Sequence, residues 1–114
     1  MTTSDMLHFE DWEKVDLRVG RILFVEDHPK ADKLYVMTVD LGEPINRTIV
    51  AGIKPFYTKE QLKNRQAVFV ANLEPINLRG IESNGMILAA STENKSEVVF
   101  IKPEKEIQPG SKIH

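Results

Sequence analysis

The stretch VDLRVGRILFV, residues 15–25, decides the fold expected of this chain. Apolar residues alternate as far as Val19, the alternation breaks at Gly20, and it resumes out of phase from Ile22. This pattern predicts one long strand that carries a β-bulge at the glycine. Such a strand can bend from one layer of a sheet into another, which is a requirement for closing a small barrel.

The segments after this strand also have the patterns of strands. The segment KLYVMTVDL, residues 33–41, places Tyr35, Met37, Val39 and Leu41 on one face by alternation. It is predicted to form a hairpin with the next apolar run. The further runs typical of strands are RTIVAGI at 47–53, QAVFVANL at 66–73, GMILAAS at 85–91 and EVVFI at 97–101.

One internal segment, YTKEQLKN at residues 57–64, is predicted to be helical. Thr58 is its N-cap, and Gln61 three positions later completes a capping box. Leu62 is its apolar anchor. The helix therefore lies between the third and the fourth predicted strands.

This order of elements predicts an all-β fold. Five strands with one short helix between strands 3 and 4, led by a long bulged strand, make up a five-stranded OB-fold Greek-key barrel. An SH3-like barrel is the alternative, although it would have a shorter helix and tighter hairpins. We expect a single domain over residues 1–114, with an N-terminal helical extension at 1–14, the barrel at 15–101 and a C-terminal extension at 102–114.

The composition suits one domain in a reducing compartment. The chain has 114 residues, 41% of them hydrophobic, which is enough for a single core. It has no cysteine, so disulfides, thiolate metal sites and a cysteine nucleophile are excluded. The sequence has no pattern of a signal peptide and no apolar run long enough for a bilayer. We therefore expect a cytoplasmic protein without a membrane partner.

The charge is nearly balanced, and its distribution is more informative than its sum. The formal net charge is −2, which by itself argues against a polyanionic partner. Residues 17–91 nevertheless carry ten basic and eight acidic residues. Binding to a polyanion would require local focusing by a subset of the basic side chains, namely Arg18, Arg21, Lys30, Lys33, Lys54, Arg65 and Arg79.

Patterns of catalysis and of metal binding are missing from the sequence. His8, His28 and His114 are isolated and lack the spacing of metal ligands, so neither a metal nor another cofactor is expected. His28 is followed by proline in a predicted loop, and we expect it to fix that loop or to face solvent. Ser83 lacks the glycines of a nucleophile elbow, and no glycine-rich nucleotide loop is present. An enzyme is therefore disfavoured.

Five segments together resemble a known family. They are KVDLRVGRI, DHPKADKLYVMTVDLGE, RTIVAGI, YTKEQLKN and VANLEPINLRGIESNGMILAAS, in that order. They resemble the structure-specific tRNA-binding domain of free-standing tRNA-binding proteins. They are also similar to the C-terminal extension of many methionyl-tRNA synthetases, the endothelial-monocyte-activating polypeptide II module and the CsaA-type secretion chaperones. The resemblance implies an OB-fold that recognises the outer corner of tRNA by shape, without catalysis.

The resemblance also implies a set of tRNA-binding residues. The positions that match the family's contacts are Lys33, Arg79, Ser83 and Met86, and Asn72, Asn77 and Asn84 lie beside them in the same motifs. Lysine and arginine can neutralise phosphates, and amide or hydroxyl groups can bond phosphate, ribose or base edges. Methionine offers a polarizable surface for an unstacked base.

A purely structural interpretation of the same motif remains open. Gly80 and Gly85 can serve the backbone angles of a tight connection, and asparagines are common turn formers. Among the aromatic residues, only Tyr35, Phe56 and Tyr57 lie near the segments expected to form the groove. Recognition would then depend on shape and on phosphate and sugar contacts, with a strong dependence on salt.

The two ends of the chain predict a homodimer. The segment FEDWEKV places Phe9 and Trp12 three apart, as on one or two helical turns with an apolar edge. The C-terminal end also carries apolar residues beyond the expected barrel. The resemblance implies dimers through such segments, with Phe9 and Trp12 in the interface. The alternative is that both ends fold over one barrel.

The resemblance leaves two functions open. The first is a non-catalytic protein that binds the tRNA elbow in trans or as a detached synthetase subunit. Whether methionyl-tRNA synthetase is also a partner is left open by the sequence. The alternative is a CsaA-like chaperone that binds unfolded export substrates in an apolar cleft. Fold resemblance alone does not choose between them, since one surface can serve both roles.

Overall fold

The computed structural model of the protein describes residues 5–114. In chain order its elements are α1 (Phe9–Glu13), β1 (Leu17–Asp27), β2 (Tyr35–Asp40), β3 (Arg47–Ala51), α2 (Lys59–Leu62), β4 (Gln66–Val70), β5 (Ile76–Leu78), β6 (Ile81–Ser83), β7 (Met86–Ile87), β8 (Ala89–Ser91) and β9 (Val98–Phe100). Five strands form one antiparallel sheet in the order β3-β2-β1-β4-β7. The strands β5 and β6 form a separate hairpin, as do β8 and β9.

The five-stranded sheet curls into a nearly closed barrel, with α2 between β3 and β4. This arrangement confirms the predicted OB-like all-β fold. The predicted hairpin of β2 and β3 is also present, with Tyr35 opposite Ala51. Where the two edges of the sheet approach each other, the peptide N–H of Asn84 donates to the carbonyl of Thr48 at 2.8 Å.

The strand β1 bends the sheet because its two halves have different neighbours. Residues 17–21 pair with β4, whereas residues 21–27 pair with β2. The register shifts between Ile22 and Phe24, so the predicted bulge is present but lies after Gly20. The pattern found the bend and misplaced it by a few residues.

Gly20 breaks the alternation for a reason of packing. A Cβ atom at this position would lie 2.7–2.9 Å from side-chain atoms of Leu41, Phe69 and Val39. Real Cβ atoms do not approach other atoms so closely, so only glycine lets the core close over β1 at this point.

The core is filled as the alternation predicts. Tyr35, Met37, Val39 and Leu41 are all buried, and all five residues of β4 are buried as well. The capping box of α2 is formed, with the Thr58 hydroxyl accepting from the peptide N–H of Gln61. The helix anchor, Leu62, is fully buried as predicted.

The run at 85–91 forms two strands where one was expected. Leu88 lies between them. Its peptide N–H donates to the Val68 carbonyl of β4, and its own carbonyl accepts from the Ile101 N–H, both at 2.9 Å. After this point β8 pairs with β9 instead of continuing in the barrel. The hairpin of β5 and β6 was not expected at all, since strands of three residues are too short to show alternation.

The C-terminal segment is fastened to the barrel. The last residues run beside β1: the peptide N–H of Val19 donates to the Ser111 carbonyl at 2.9 Å, and the Val19 carbonyl accepts from Gly110 at 2.7 Å. The helix α1 lies within the predicted extension at 1–14, of which residues 1–4 are outside the described part. No helix within residues 5–114 is long and apolar enough to cross a membrane.

Candidate nucleic-acid interface

An apolar groove of about 610 Å³ lies between the end of β3, the hairpin of β5 and β6, and β7. Its lining is apolar except for the side chains of Glu74 and Ser83. The groove residues are Val50, Ala51, Gly52, Ile53, Leu73, Glu74, Ile76, Leu78, Ser83, Gly85, Met86, Ile87 and Ala89. We call this surface the apolar groove. Of these residues, Ser83 and Met86 were predicted as contacts from the sequence. The wall formed by Leu73, Glu74 and Ile76 was not predicted.

The hairpin of β5 and β6, residues 76–83, forms one wall of the apolar groove and presents Arg79 at its tip. Leu78 pairs with Ile81, so Arg79 and Gly80 form a two-residue turn. Both have positive φ angles, 55° and 97°, which is the pattern of a type I′ turn. The Asn77 side-chain oxygen accepts from the Gly80 N–H at 2.8 Å, so Asn77 stabilises this turn. We call residues 76–83 the Arg79 hairpin.

Arginine is an unusual residue for its position in this turn. The first central position of a type I′ turn favours asparagine, aspartate or glycine, because other residues pay about 1 kcal/mol or more for left-handed backbone angles. The Arg79 side chain is exposed and forms no ion pair with any described residue. Arg79 therefore combines a left-handed backbone with an exposed charge that has no ion-pair partner among the described residues.

Lys33 lies in the loop of residues 28–34, which connects β1 to β2. The loop is closed on itself by the peptide N–H of His28, which donates to the Leu34 carbonyl at 3.2 Å. The imidazole of His28 is 5% exposed, and its Nε2 bonds to the carbonyl of Leu78 in the Arg79 hairpin at 2.9 Å. His28 therefore fixes its loop, which was one of the two roles expected of it.

Ser83 is the predicted contact residue that the structure buries most deeply. It is 1% exposed. Its hydroxyl accepts from the peptide N–H of Val50 at 2.9 Å and donates to the Gly85 carbonyl at 3.1 Å. The hydroxyl thus bridges β3 to the segment between β6 and β7, where the barrel closes without a continuous ladder.

The remaining predicted contacts divide between surface and scaffold. Met86 is 46% exposed and forms part of the apolar groove. The Asn72 amide accepts from the peptide N–H of Asp16 at 2.9 Å and donates to the Lys14 carbonyl, so it holds the chain that leads into β1. Asn84 lies at the barrel closure, beside a shallow pocket next to the apolar groove.

Three of the seven basic residues that could focus positive charge are already paired. Arg18 pairs with Asp16, Arg21 with Glu106, and Lys54 with Asp27. Lys30, Lys33, Arg65 and Arg79 form no ion pair with residues 5–114. Two of these four cations, Lys30 and Lys33, lie in the loop that His28 joins to the Arg79 hairpin.

Asp27 at the end of β1 neutralises two lysines beside the 28–34 loop. Hydrogen bonds from Lys59 and then from Lys54 lower the pKa of the Asp27 carboxyl below its ordinary value. The same contact raises the pKa of Lys59. These lysines are therefore engaged within the protein, in contrast to Lys33 and Arg79.

The three aromatic residues expected near the groove lie elsewhere. Tyr35, Phe56 and Tyr57 line a separate pocket with Lys54 and Lys59. The Tyr35 hydroxyl donates to the Tyr57 carbonyl at 2.7 Å, and the Tyr57 hydroxyl accepts from the peptide N–H of Phe100 at 3.2 Å, so both rings are tied into the scaffold. None of the described residues of the apolar groove is aromatic. Within residues 5–114 there is also no cluster of three or more side chains suited to a metal ion.

Comparison with known proteins identifies relatives over nearly the whole chain. The family described as "Putative tRNA binding domain" matches residues 17–112. The methionine–tRNA ligase of Pyrococcus furiosus is 55% identical over 105 residues, and that of Methanosarcina acetivorans is 46% identical over 111 residues. These alignments cover 92% and 97% of this chain but only 14% and 15% of the two ligases.

Solved structures of similar length share the fold. A protein from Pyrococcus horikoshii described as MetRS-related superposes with a TM-score of 0.89 at 31% identity, covering 96% of this chain and 99% of that one. The chaperone CsaA from Bacillus anthracis superposes with a TM-score of 0.85, also at 31% identity, with coverage of 96% and 99%.

Proposed function

The chain belongs to the tRNA binding domain family, and on this premise we propose that it binds tRNA through the Arg79 hairpin, the 28–34 loop and the apolar groove. We propose that it recognises the tRNA elbow, where the two loops of the L-shaped molecule meet, and that it does so without catalysis. Recognition of this kind reads the shape of the RNA and its backbone.

The observation that carries this proposal is the placement of two exposed cations without ion-pair partners in the described chain. Lys33 and Arg79 lie on two segments that His28 holds together. Such cations gain most from a phosphate, because no internal carboxylate has to be displaced. The planar guanidinium of Arg79 can also donate two parallel hydrogen bonds to one phosphate.

The apolar groove beside these cations supplies a second kind of contact. Met86 projects a partly exposed thioether surface there, and Leu73 and Ile76 extend it. An unstacked base from an RNA loop can cover such a surface. We assign Ser83, Asn72 and Asn77 to holding this surface in place, because their side chains already bond to the protein backbone. Asn84, whose backbone bonds to Thr48 beside the groove, remains a proposed contact.

The test is fluorescence anisotropy of labelled full-length tRNA with wild type and Arg79→Ala, at two salt concentrations. We expect Arg79→Ala to weaken binding about 10- to 100-fold, the equivalent of one charge-assisted hydrogen bond. Higher salt should weaken wild-type binding, since phosphate contacts release counterions. An isolated acceptor-stem hairpin should bind poorly, because it lacks the elbow.

Lys95→Ala is the matched control variant. Lys95 is an exposed cation with a φ angle of 56°, close to the 55° of Arg79, in the connection between β8 and β9. Its removal changes the net charge equally and likewise places alanine at a left-handed backbone position, but in a connection that is not part of the proposed site. Equal losses of affinity in both variants, or salt-insensitive binding, would contradict the proposed site.

A CsaA-like chaperone is the second candidate function, and one observation favours it. The apolar groove has an almost wholly apolar lining and would suit side chains of an unfolded protein. Suppression of aggregation of a denatured client by wild type and equally by Arg79→Ala would support this function. Loss of suppression in Met86→Asp, with tRNA binding unchanged, would separate it from RNA binding.

We further propose that the protein is a homodimer through its N-terminal region. Phe9 is 71% exposed and Trp12 is half-buried, so part of this apolar edge is open within the described chain. Burying it against a second copy would remove exposed apolar surface. We expect Phe9→Ala and Trp12→Ala to weaken association, measured by sedimentation. A monomeric wild type at micromolar concentration would contradict the dimer.

The relatives of the chain support a proposal about its cellular setting. The curated relatives are methionine–tRNA ligases, of which the chain spans about a seventh. We propose a cytoplasmic location and association with a methionyl-tRNA synthetase, to which the domain would deliver tRNA. Co-sedimentation of the two proteins with and without tRNA tests this association.

A further inference from the structure

The imidazole of His28 connects the two cationic segments by one hydrogen bond on each of its nitrogens. The peptide N–H of Lys30 donates to Nδ1 at 3.0 Å, so Nδ1 carries the lone pair. Nε2 therefore carries the proton and donates to the carbonyl of Leu78 at 2.9 Å. The first bond shapes the loop of Lys33, and the second attaches that loop to the strand that leads to Arg79.

The second bond has no substitute. Within residues 5–114, no other hydrogen bond joins the 28–34 loop to the Arg79 hairpin. The two strands of the hairpin are only three residues long each, and only Ser83 among their residues is buried. Without the bond from His28, no hydrogen bond among the described residues would hold the hairpin to the loop.

We propose that His28 is a positioning residue for tRNA binding, which fixes the separation of Lys33 and Arg79 so that both reach phosphates of the same RNA. This inference rests on the proposed function. The physical reason is preorganisation: two cations held at a fixed separation lose less conformational freedom on binding than two that move independently. His28 itself is buried and acts through the two segments that it joins.

Two substitutions separate the two bonds of the imidazole. An asparagine amide reaches the position of Nδ1, so His28→Asn can keep the bond to Lys30, as in an Asx turn, and loses the bond to Leu78. A glutamine amide reaches the position of Nε2, so His28→Gln can keep the bond to Leu78. The pair therefore tests the connecting bond against the loop bond.

The first measurement is tRNA affinity in a double-mutant cycle. We expect His28→Asn to bind tRNA about 3- to 10-fold more weakly, the effect of one hydrogen bond, and His28→Gln to stay close to wild type. In wild type, the effects of Lys33→Ala and Arg79→Ala should be coupled. In His28→Asn the two effects should become additive, which a merely structural role would not produce.

The second measurement needs no RNA. The chain has no cysteine, so Lys33→Cys and Arg79→Cys introduce a unique pair of sites for spin labels. The distribution of distances between the labels should be narrow in the wild-type background and in His28→Gln, and broad in His28→Asn. In unlabelled wild type, the Nε2 proton of His28 should exchange slowly with solvent. This measurement does not depend on whether His28→Asn folds.

The outcomes distinguish this inference from the proposed function. Failure of wild type to bind tRNA at low salt overturns the proposed function and the inference together. If wild type binds tRNA, any one of three results overturns the inference alone. These are unchanged coupling in His28→Asn, an unbroadened distance distribution in His28→Asn, and fast exchange of the Nε2 proton in wild type. Weaker, uncoupled binding in His28→Asn with rescue by His28→Gln supports it.

Discussion

The hairpin of β2 and β3 and the Arg79 hairpin meet at the closure of the barrel, yet they are built on different principles. In β2 every second side chain is buried, so packing fixes the register: a slip by one residue would expose the whole apolar face. In the Arg79 hairpin most side chains are exposed, and the register depends on a strained turn and one buried serine. Side chains are available for binding only where the core does not use them.

The strongest effect is expected in the packed core at Gly20. Gly20→Ala should lower the free energy of unfolding by about 3 kcal/mol, the upper end for overpacking, because three side chains would have to move. Urea denaturation measures this loss. Gly52→Ala is the matched control, since a Cβ there meets only Leu34 at 3.6 Å. Similar losses in both variants would contradict the packing role of Gly20.

Ser83→Ala tests the bond that connects the two hairpins. It removes the acceptor of the Val50 N–H in a buried position, which should cost about 2 kcal/mol of stability. Because the apolar groove lies beside this bond, tRNA affinity should fall as well. Ser91→Ala, at an exposed position on β8, should change neither quantity. Weaker tRNA binding with unchanged stability would instead make Ser83 a direct contact.

Arg79→Asn should change the stability of the protein and its affinity for tRNA in opposite directions. Asparagine before glycine suits a type I′ turn, so stability should rise by about 1 kcal/mol while tRNA affinity falls. Thermal denaturation and anisotropy measure the two effects. Lys95→Asn should show the gain in stability without the loss of affinity. A destabilised Arg79→Asn would show that the arginine supports the turn.

Periodicity predicted the regions in which burial decides the structure. The alternation in β2, the capping box of Thr58 and Gln61, and the long bent strand β1 are all present. Each depends on residues close in sequence, so one stretch of the chain contains the whole signal. The predicted position of the bulge was wrong. Gly20 is required there by the packing of side chains from β2 and β4, which are distant in sequence, and not by a bulge.

The site was predicted less completely than the fold. Some of the predicted residues lie beside the apolar groove, but which of them are exposed and which are buried depends on tertiary contacts. The exposure of Arg79 and the burial of Ser83, four residues apart, come from a turn and a partner on β3 that no local pattern encodes. Likewise, the loop containing His28 was predicted, but its bond to Leu78, fifty positions away, was not.

The C-terminal segment beside β1 has a consequence for the order in which the chain folds. Val19 bonds to Gly110 and Ser111, so the first strand completes its hydrogen bonding only after residue 111 has been synthesised. Until then, β1 exposes unpaired peptide groups that could pair with another chain. The domain should therefore fold in one step that waits for residues 110 and 111, and truncation before residue 110 should leave a product prone to aggregation.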